Sequence, residues 1–252
     1  ASIWVFTLGL PWVLGADFFL KHLLDGDPAS NTLSWRWVAG LQTPGETYLA
    51  RAENIEKFTE NRFKPIGQLA TIAPPVLGAK PPIPKPIKLG PAPRSGVKTL
   101  WLVTEDDLAL HDPPSMPTKD VVSVVALNTV DNRALGGVAK EVISFAQSAI
   151  VDAIRKFKLR HEVPVEHVSL RDLSEFRRII KKYEATQVIV SRIPVGPARD
   201  SFDAVVRATQ GQDVKFIEIT RAWDLQSWPH ATKGYFKFKE VIPSILARMR
   251  LA

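Results

Sequence analysis

Apolar side chains dominate residues 1–24, and the run is broken only around Gly9–Pro11. A helix is expected on either side of that break, since proline cannot continue one. In the second helix Phe18, Phe19, Leu20, Leu23 and Leu24 fall on one broad apolar face. A polar turn then follows, with Asp25 and Asp27 flanking Gly26. Asp27 is a good N-cap, and Pro28 suits the first helical position, where its missing N–H costs nothing. The helix that begins there carries Trp35, Arg36 and Trp37 and stops at Gly40. Thr43–Pro44–Gly45 is a turn signal, and Asn54 is expected to cap a short helix through Phe58.

Residues 64–97 hold nine of the 20 prolines, which predicts an extended, polyproline-like linker. Its interspersed Ile and Leu would suit a sheath along the surface. From residue 98 the period changes. Strands are expected at Lys98–Thr104, Val121–Leu127, Val165–Leu170, Gln187–Ser191 and Val214–Ile219. Helices are expected at Val138–Phe157, Leu173–Tyr183 and Ala198–Gln210, with a last one near Lys239–Met249. Strands alternating with helices call for a parallel sheet with right-handed crossovers. A ligand crevice would lie at the strands' carboxyl ends.

Composition narrows the chemistry. The 252 residues contain no cysteine, which excludes disulfides, thiolate metal sites, iron–sulfur clusters and Cys catalysis in this chain. The net charge of +7 is uneven. Residues 1–63 sum to −2, residues 64–98 to +6 and residues 99–252 to +3. Nucleic acid is one partner that fits; a solvated basic linker fits the same number. The apolar start has no basic region before it and no cleavage-like site after it. No signal peptide or membrane span is read there, and a cytoplasmic location is expected.

The acidic turn carries the most specific signal. Two carboxylates at a helix N-terminus are stabilised by exposed N–H groups, and they can accept hydrogen bonds from a ligand. A capped helix with two half-buried indoles is the plainer reading. The order D-G-D-x-A-S-N-x-x-x-W-x-W-x-A-G in residues 25–40 closely resembles the flavin-binding core of the photolyase/cryptochrome family. That family pattern is long, ungapped here and built of rare residue types.

The resemblance implies FAD as cofactor. Asp25 and Asp27 would lie along the pyrimidine edge of the isoalloxazine and the ribityl chain. Asn31 would face flavin N5, where a neutral amide can hydrogen-bond without adding charge. Trp35 would be the indole nearest the flavin and the first donor of a photoreduction chain. Trp12 falls where the family has the next tryptophan, and a third donor would lie upstream of Ala1. Trp37 would pack rather than carry electrons. The family's flavin domain also has a long helical portion before this point, with an arginine expected to pair with Asp25, phosphate-binding residues and DNA-facing surface. A cup made from 63 residues buries too little surface to hold a flavin firmly. The missing N-terminal half is therefore expected on the same or a separate chain.

Residues 100–116, LWLVTEDDLALHDPPSM, resemble the opening strand and loop of the photolyase antenna domain. Asp107, Leu108, His111 or its neighbour, and Asp112 follow that pattern, whereas Glu105 and Asp106 replace its arginine pair. The tail WDLQSWPHATKGYFKFKEVIPSIL resembles photolyase-like segments less specifically. The family places this domain before the flavin domain, so a permuted order is expected. The architecture expected overall is α/β plus all-α. It comprises the C-terminal part of a helical FAD-binding domain (1–63), a Pro-rich basic linker (64–97) and an antenna-like, five-stranded parallel Rossmann-like sheet with helices on both faces (98–252). An antenna chromophore of the folate or deazaflavin type would be optional.

Other candidates have plainer explanations. His22 reads as a structural helix-end histidine, and Gly136–Gly137 as a turn before a helix. The basic stretch 177–183 reads as a solvated helix face with Ile179 and Ile180 inward. His230, Lys233 and Tyr235 read as tail packing, and no metal-ligand spacing is present. A P-x-x-P ligand for an SH3-type module is a weak reading of the linker. The function expected is light-driven repair of pyrimidine dimers flipped out of damaged DNA. A cryptochrome-type photosensor and a non-catalytic binding module that has lost flavin are the alternatives.

Overall fold

The computed structural model describes residues 1–79, 83, 85–112, 115–232 and 234–251. They divide into two compact units. The first comprises residues 1–83 with 131–143, and the second residues 84–130 with 144–252. Part of the linker, and Lys233, lie outside the described residues.

The first unit is helical. A single π-helical stretch, Ile3–Thr7, precedes the break at Gly9–Pro11. Helix α1 (Trp12–His22) runs into the acidic turn, and α2 (Pro28–Val38) leaves it. Asp27 caps α2 as expected: its carboxylate accepts from the backbone N–H of Ala29 at 2.9 Å and of Ser30 at 3.3 Å. The apolar face of α1 is narrower than its sequence suggests. Gly15, Ala16 and Leu20 are buried, while Phe18, Phe19 and Leu24 are about half exposed. Helix α3 (Ala52–Phe58) begins two residues before Asn54, so Asn54 is not its cap. Extended Arg51 leads into it, and Glu53 complements the dipole in its first turn.

Residues 64–79 lie along this unit and are fixed through their backbone. Val76 N–H donates to the Ala39 carbonyl at 3.0 Å, and Ala70 N–H to Thr7 Oγ1 at 3.1 Å. Thr47 Oγ1 donates to Ala73 O at 2.8 Å, and Arg36 to Ala79 O at 3.2 Å. Leu135 N–H donates to Asp17 at 2.9 Å, and Ala139 N–H to Lys21 O at 2.9 Å, which ties in residues 131–143.

In the second unit five parallel strands form one sheet among the described residues, in the order β3-β2-β1-β4-β5. They are β1 (Thr99–Thr104), β2 (Val121–Leu127), β3 (Val165–Val168), β4 (Gln187–Ser191) and β5 (Lys215–Ile219). Successive side chains point to opposite faces. Leu100, Leu102, Val125, Leu127, Val188 and Val190 meet α5 (Ser174–Tyr183) and α6 (Pro197–Ala208) through Phe176, Ile179, Ile180, Phe202 and Val205. Trp101, Val103, Val124 and Ala126 meet α4 (Lys140–Lys158) through Ile150, Ile154 and Phe157. Helices thus cover both faces, which is why every residue of β1 is buried.

The strand bounds of β2 and β4 agree with the sequence reading. Strand β3 stops two residues early, where Ser169 accepts the N–H of Asp172 in a turn. The expected last helix is α9 (Ile242–Arg248), and two unpredicted short helices, α7 (Ala222–Ser227) and α8 (Tyr235–Lys239), precede it. Gln187, fully buried, is satisfied from three sides: Nε2 donates to Arg94 O and Thr99 Oγ1, and Oε1 accepts from Arg94 N–H. Among the described residues, no helix is long and apolar enough to cross a membrane.

Asp107, in the loop after β1, is clamped by Arg221, whose Nε and Nη2 donate to its two oxygens at 2.7 and 2.8 Å. Burial pushes this carboxyl up, but Arg221 and the Ser191 hydroxyl outweigh it and hold it below the ordinary carboxylate range. A depressed folded-state value stabilises the unit above the unfolded value, and the gain is lost as pH falls through the folded one. Asp107→Asn is therefore expected to cost about 2 kcal/mol at neutral pH. The difference should shrink in acid, as pH falls below the unfolded value and through the lower folded one. Urea titrations at neutral and acid pH test this; an undiminished difference in acid would refute it.

Candidate functional site

The α1–α2 turn forms one side of a cavity of about 350 Å³ in the first unit. Asp25, Asp27 and Asn31 line it with Trp35, Phe19 and Leu23. Ser30 and Ser34 add two hydroxyls from the same face of α2. The helical period explains the grouping: Asp27, Asn31 and Trp35 are four apart and share a face.

Each side chain is held differently. Asn31 is buried, and its Nδ2 donates to the Ala16 carbonyl at 2.8 Å. That bond orients the amide and leaves Oδ1 as an acceptor. Asp27 divides its carboxylate between the two capping bonds, and each oxygen keeps acceptor capacity. Asp25 is exposed at the rim. Trp35 is only 3% exposed and stands edge-on to Phe19, with ring centroids 5.2 Å apart. It fits because residue 15 is glycine: a Cβ there would overlap the Trp35 ring.

Trp12 is not part of the cavity lining. It packs against the cluster of Val5, Ala16 and Trp35, together with Trp4, Phe6 and Val76. The guanidinium of Arg36 lies over its ring, 5.9 Å from the centroid. Trp37 is 46% exposed and stacks on Tyr48 at 5.5 Å. Trp4 meets Trp35 edge-on, with ring centroids 6.4 Å apart. Sequence reasoning passed over Trp4 because it lies beyond the helix break and outside any periodic pattern. Phe19, Ser30 and Ser34 were also missed, although their spacing from Asn31 and Trp35 could have suggested them.

The lining suits a planar, hydrogen-bonding ring carrying hydroxyls. Carboxylate and amide oxygens can accept from ring N–H and hydroxyl groups, and the aromatic walls supply an apolar slot. The volume accommodates a ring system rather than a whole dinucleotide. Among the described residues the lining has no Lys or Arg side chain. No three His, Asp or Glu side chains among the described residues come together as a metal site.

Residues 1–70 match the family model described as the FAD binding domain of DNA photolyase. The N-terminal segment is photolyase-like. A deoxyribodipyrimidine photo-lyase of Streptomyces griseus is 51% identical over 43 residues, which cover 17% of this chain and 10% of that protein. Another, of Buchnera aphidicola subsp. Baizongia pistaciae, is 40% identical over 48 residues, covering 19% of this chain and 10% of its own length. The chain thus spans about one-tenth of the length of these curated relatives. No solved structure matches it. The photolyase-like segment contains every residue of the cavity lining.

Gly15→Ala should drive Trp35 out of its slot. Overpacking of this kind costs about 1–3 kcal/mol. Near-ultraviolet circular dichroism and thermal unfolding would record the loss of the fixed indole; an unchanged spectrum would count against the close approach of α1 and α2.

Proposed function

We propose that the chain is part of a photolyase-type flavoprotein that binds FAD and acts on damaged DNA. What carries the reading is one conjunction: Asp25, Asp27, Asn31 and Trp35 surround a single cavity, and the segment that holds them matches an FAD-binding family. FAD, when bound, would supply light-driven electron transfer, with pyrimidine dimers as the lesion split.

The residues have distinct tasks. Asp25 and Asp27 accept hydrogen bonds from the ring edge and the ribityl hydroxyls. Asn31, locked by Ala16, presents Oδ1 to an N–H without bringing a charge. Phe19 and Leu23 keep water from the inner wall. Trp35, buried beside the cavity, is the first electron donor. A flipped base would have to enter from the open side of the cup.

A further helical segment, on the same or another polypeptide, completes that cup. Two observations support it. Val13, Leu14, Phe18 and Phe19 leave an apolar face of α1 about half exposed. Among the described residues the lining also has no Lys or Arg side chain for the diphosphate of FAD. The second unit would serve as the antenna-like partner of the flavin segment, in permuted order, with Asp107 fixing its first loop.

The test is the absorption spectrum of the purified protein, alone and after incubation with FAD. Bound flavin supports the reading, and a protein that takes up none rejects it. Asp25→Ala strips an acceptor from the site and should weaken flavin retention about tenfold. Trp35→Phe should keep flavin but slow its photoreduction by about tenfold or more. Equal flavin content in wild type and Asp25→Ala, or unchanged photoreduction in Trp35→Phe, would remove those residues from their roles.

A further inference from the structure

Parallel strands are usually joined through a helix that covers the sheet between them. The connection from β1 to β2, residues 105–120, has no α-helix among its described residues, only the 3₁₀ turn Thr118–Asp120. It lies as a loop beside α4, with Leu110 buried in the cluster that includes Trp101 and Phe157. Between this loop and the end of α4 a cavity of about 370 Å³ remains, wholly within the second unit. We infer that it is a second binding site, and that its ligand is a free aliphatic acid: one anionic head on a saturated chain. The inference is independent of flavin binding.

The lining selects that chemistry. Leu108, Leu110 and Leu159 form most of its apolar part. Phe157 spends one face on His161, stacked at 4.5 Å, and Trp101 meets the ring edge-on at 5.8 Å. The body of a ligand therefore meets mainly leucine rather than an aromatic slot. Lys156, Arg160, His111 and His161 supply nitrogen groups. Among the described residues the lining has no hydroxyl, amide or carboxylate side chain. A sugar or a heterocycle is oriented by such groups, whereas an anion on a featureless chain needs none of them.

The charge balance agrees. Asp152 pairs with Arg155 at 2.8 Å and with Lys156 at 2.6 Å. Among the described residues no carboxylate pairs with Arg160, so an anionic head would take that place in a charge-assisted hydrogen bond. Leu159 is 77% exposed, and a chain lying in the cavity would cover it. A methylene fills nearly the volume of a water, about 30 Å³, so a head with a chain of about ten carbons fits. The lining takes nothing from the residues that follow β2, β4 or β5. The site is thus separate from the crevice at the strands' carboxyl ends.

The experiment is calorimetric titration of the full chain with sodium decanoate, kept below its micellar concentration. One decanoate should bind per chain. Affinity should rise about tenfold for every two methylenes from hexanoate to decanoate, then level off at dodecanoate as the cavity fills. Decanol, which has the same chain without the charge, should bind about tenfold more weakly. Leu159→Glu places a carboxylate at the cavity and should abolish binding, and Arg160→Gln should weaken it about fivefold. Both residues are exposed, so the fold should hold. Arg178→Gln removes an exposed cation on α5 that pairs with Asp172, and it should change nothing. Vesicles of phosphatidylglycerol should not retain the protein. Decanoate that fails to bind, that binds Leu159→Glu as well as wild type, or that binds no better than decanol overturns the inference. So does an affinity that keeps rising to hexadecanoate, or a protein that binds vesicles and not decanoate, since both mark adsorption to a surface. None of these outcomes bears on the flavin reading, which stands or falls on the absorption spectrum.

Discussion

The close approach of α1 and α2 at Gly15 is the constraint on which the cavity depends. Trp35 can be buried only because residue 15 has no side chain. The same approach brings the Ala16 carbonyl within reach of Asn31 and turns the buried stripe of α1 toward α2. One missing Cβ therefore seats the indole, locks the amide and sets the width of the slot between the helices.

The two units handle charge in contrasting ways. In the second, carboxylates are matched locally. Asp107 is gripped by Arg221, and Glu218 by Arg199 at 2.6 and 2.7 Å. Burial pushes Glu218 up, but Arg199 more than reverses it. Asp224 differs, since burial is its main influence and raises it. In the first unit, Asp25 and Asp27 face a lining with no basic side chain among the described residues. Matched pairs hold a fold together. Carboxylates left at a cavity mouth retain the capacity to bind something else.

Much of this was legible in the sequence. The parallel sheet followed from apolar runs of strand length separated by amphipathic helices, and β2 and β4 were sharp because polar residues bound them on both sides. Asp27 and Pro28 announced the start of α2 by cap chemistry alone. The failures have local causes. Helix α7 has too few residues for a period to register, and the tail breaks between α8 and α9, where Pro243 stands in the first turn of α9. The edge strand β3 has one partner, so nothing prolongs it past Val168. At the site, the four residues of the acidic turn and α2 were grouped by the family resemblance of residues 25–40. Trp4 could not, because its meeting with Trp35 is made by folding back across Gly9–Pro11.

The proline-rich segment has an evolutionary corollary. Proline has no N–H, so such a chain offers carbonyls more readily than donors. Four of its anchors follow suit: Thr47 and Arg36 bond to the carbonyls of Ala73 and Ala79 in one unit, and Trp228 and Arg192 to those of Lys85 and Lys88 in the other. Every residue type has that carbonyl. Such bonds make little demand on the segment's own side chains so long as it stays extended, whereas Thr47, Arg36, Trp228 and Arg192 are constrained. In a set of homologues, the lasting trace of this segment would be found in the residues that hold it.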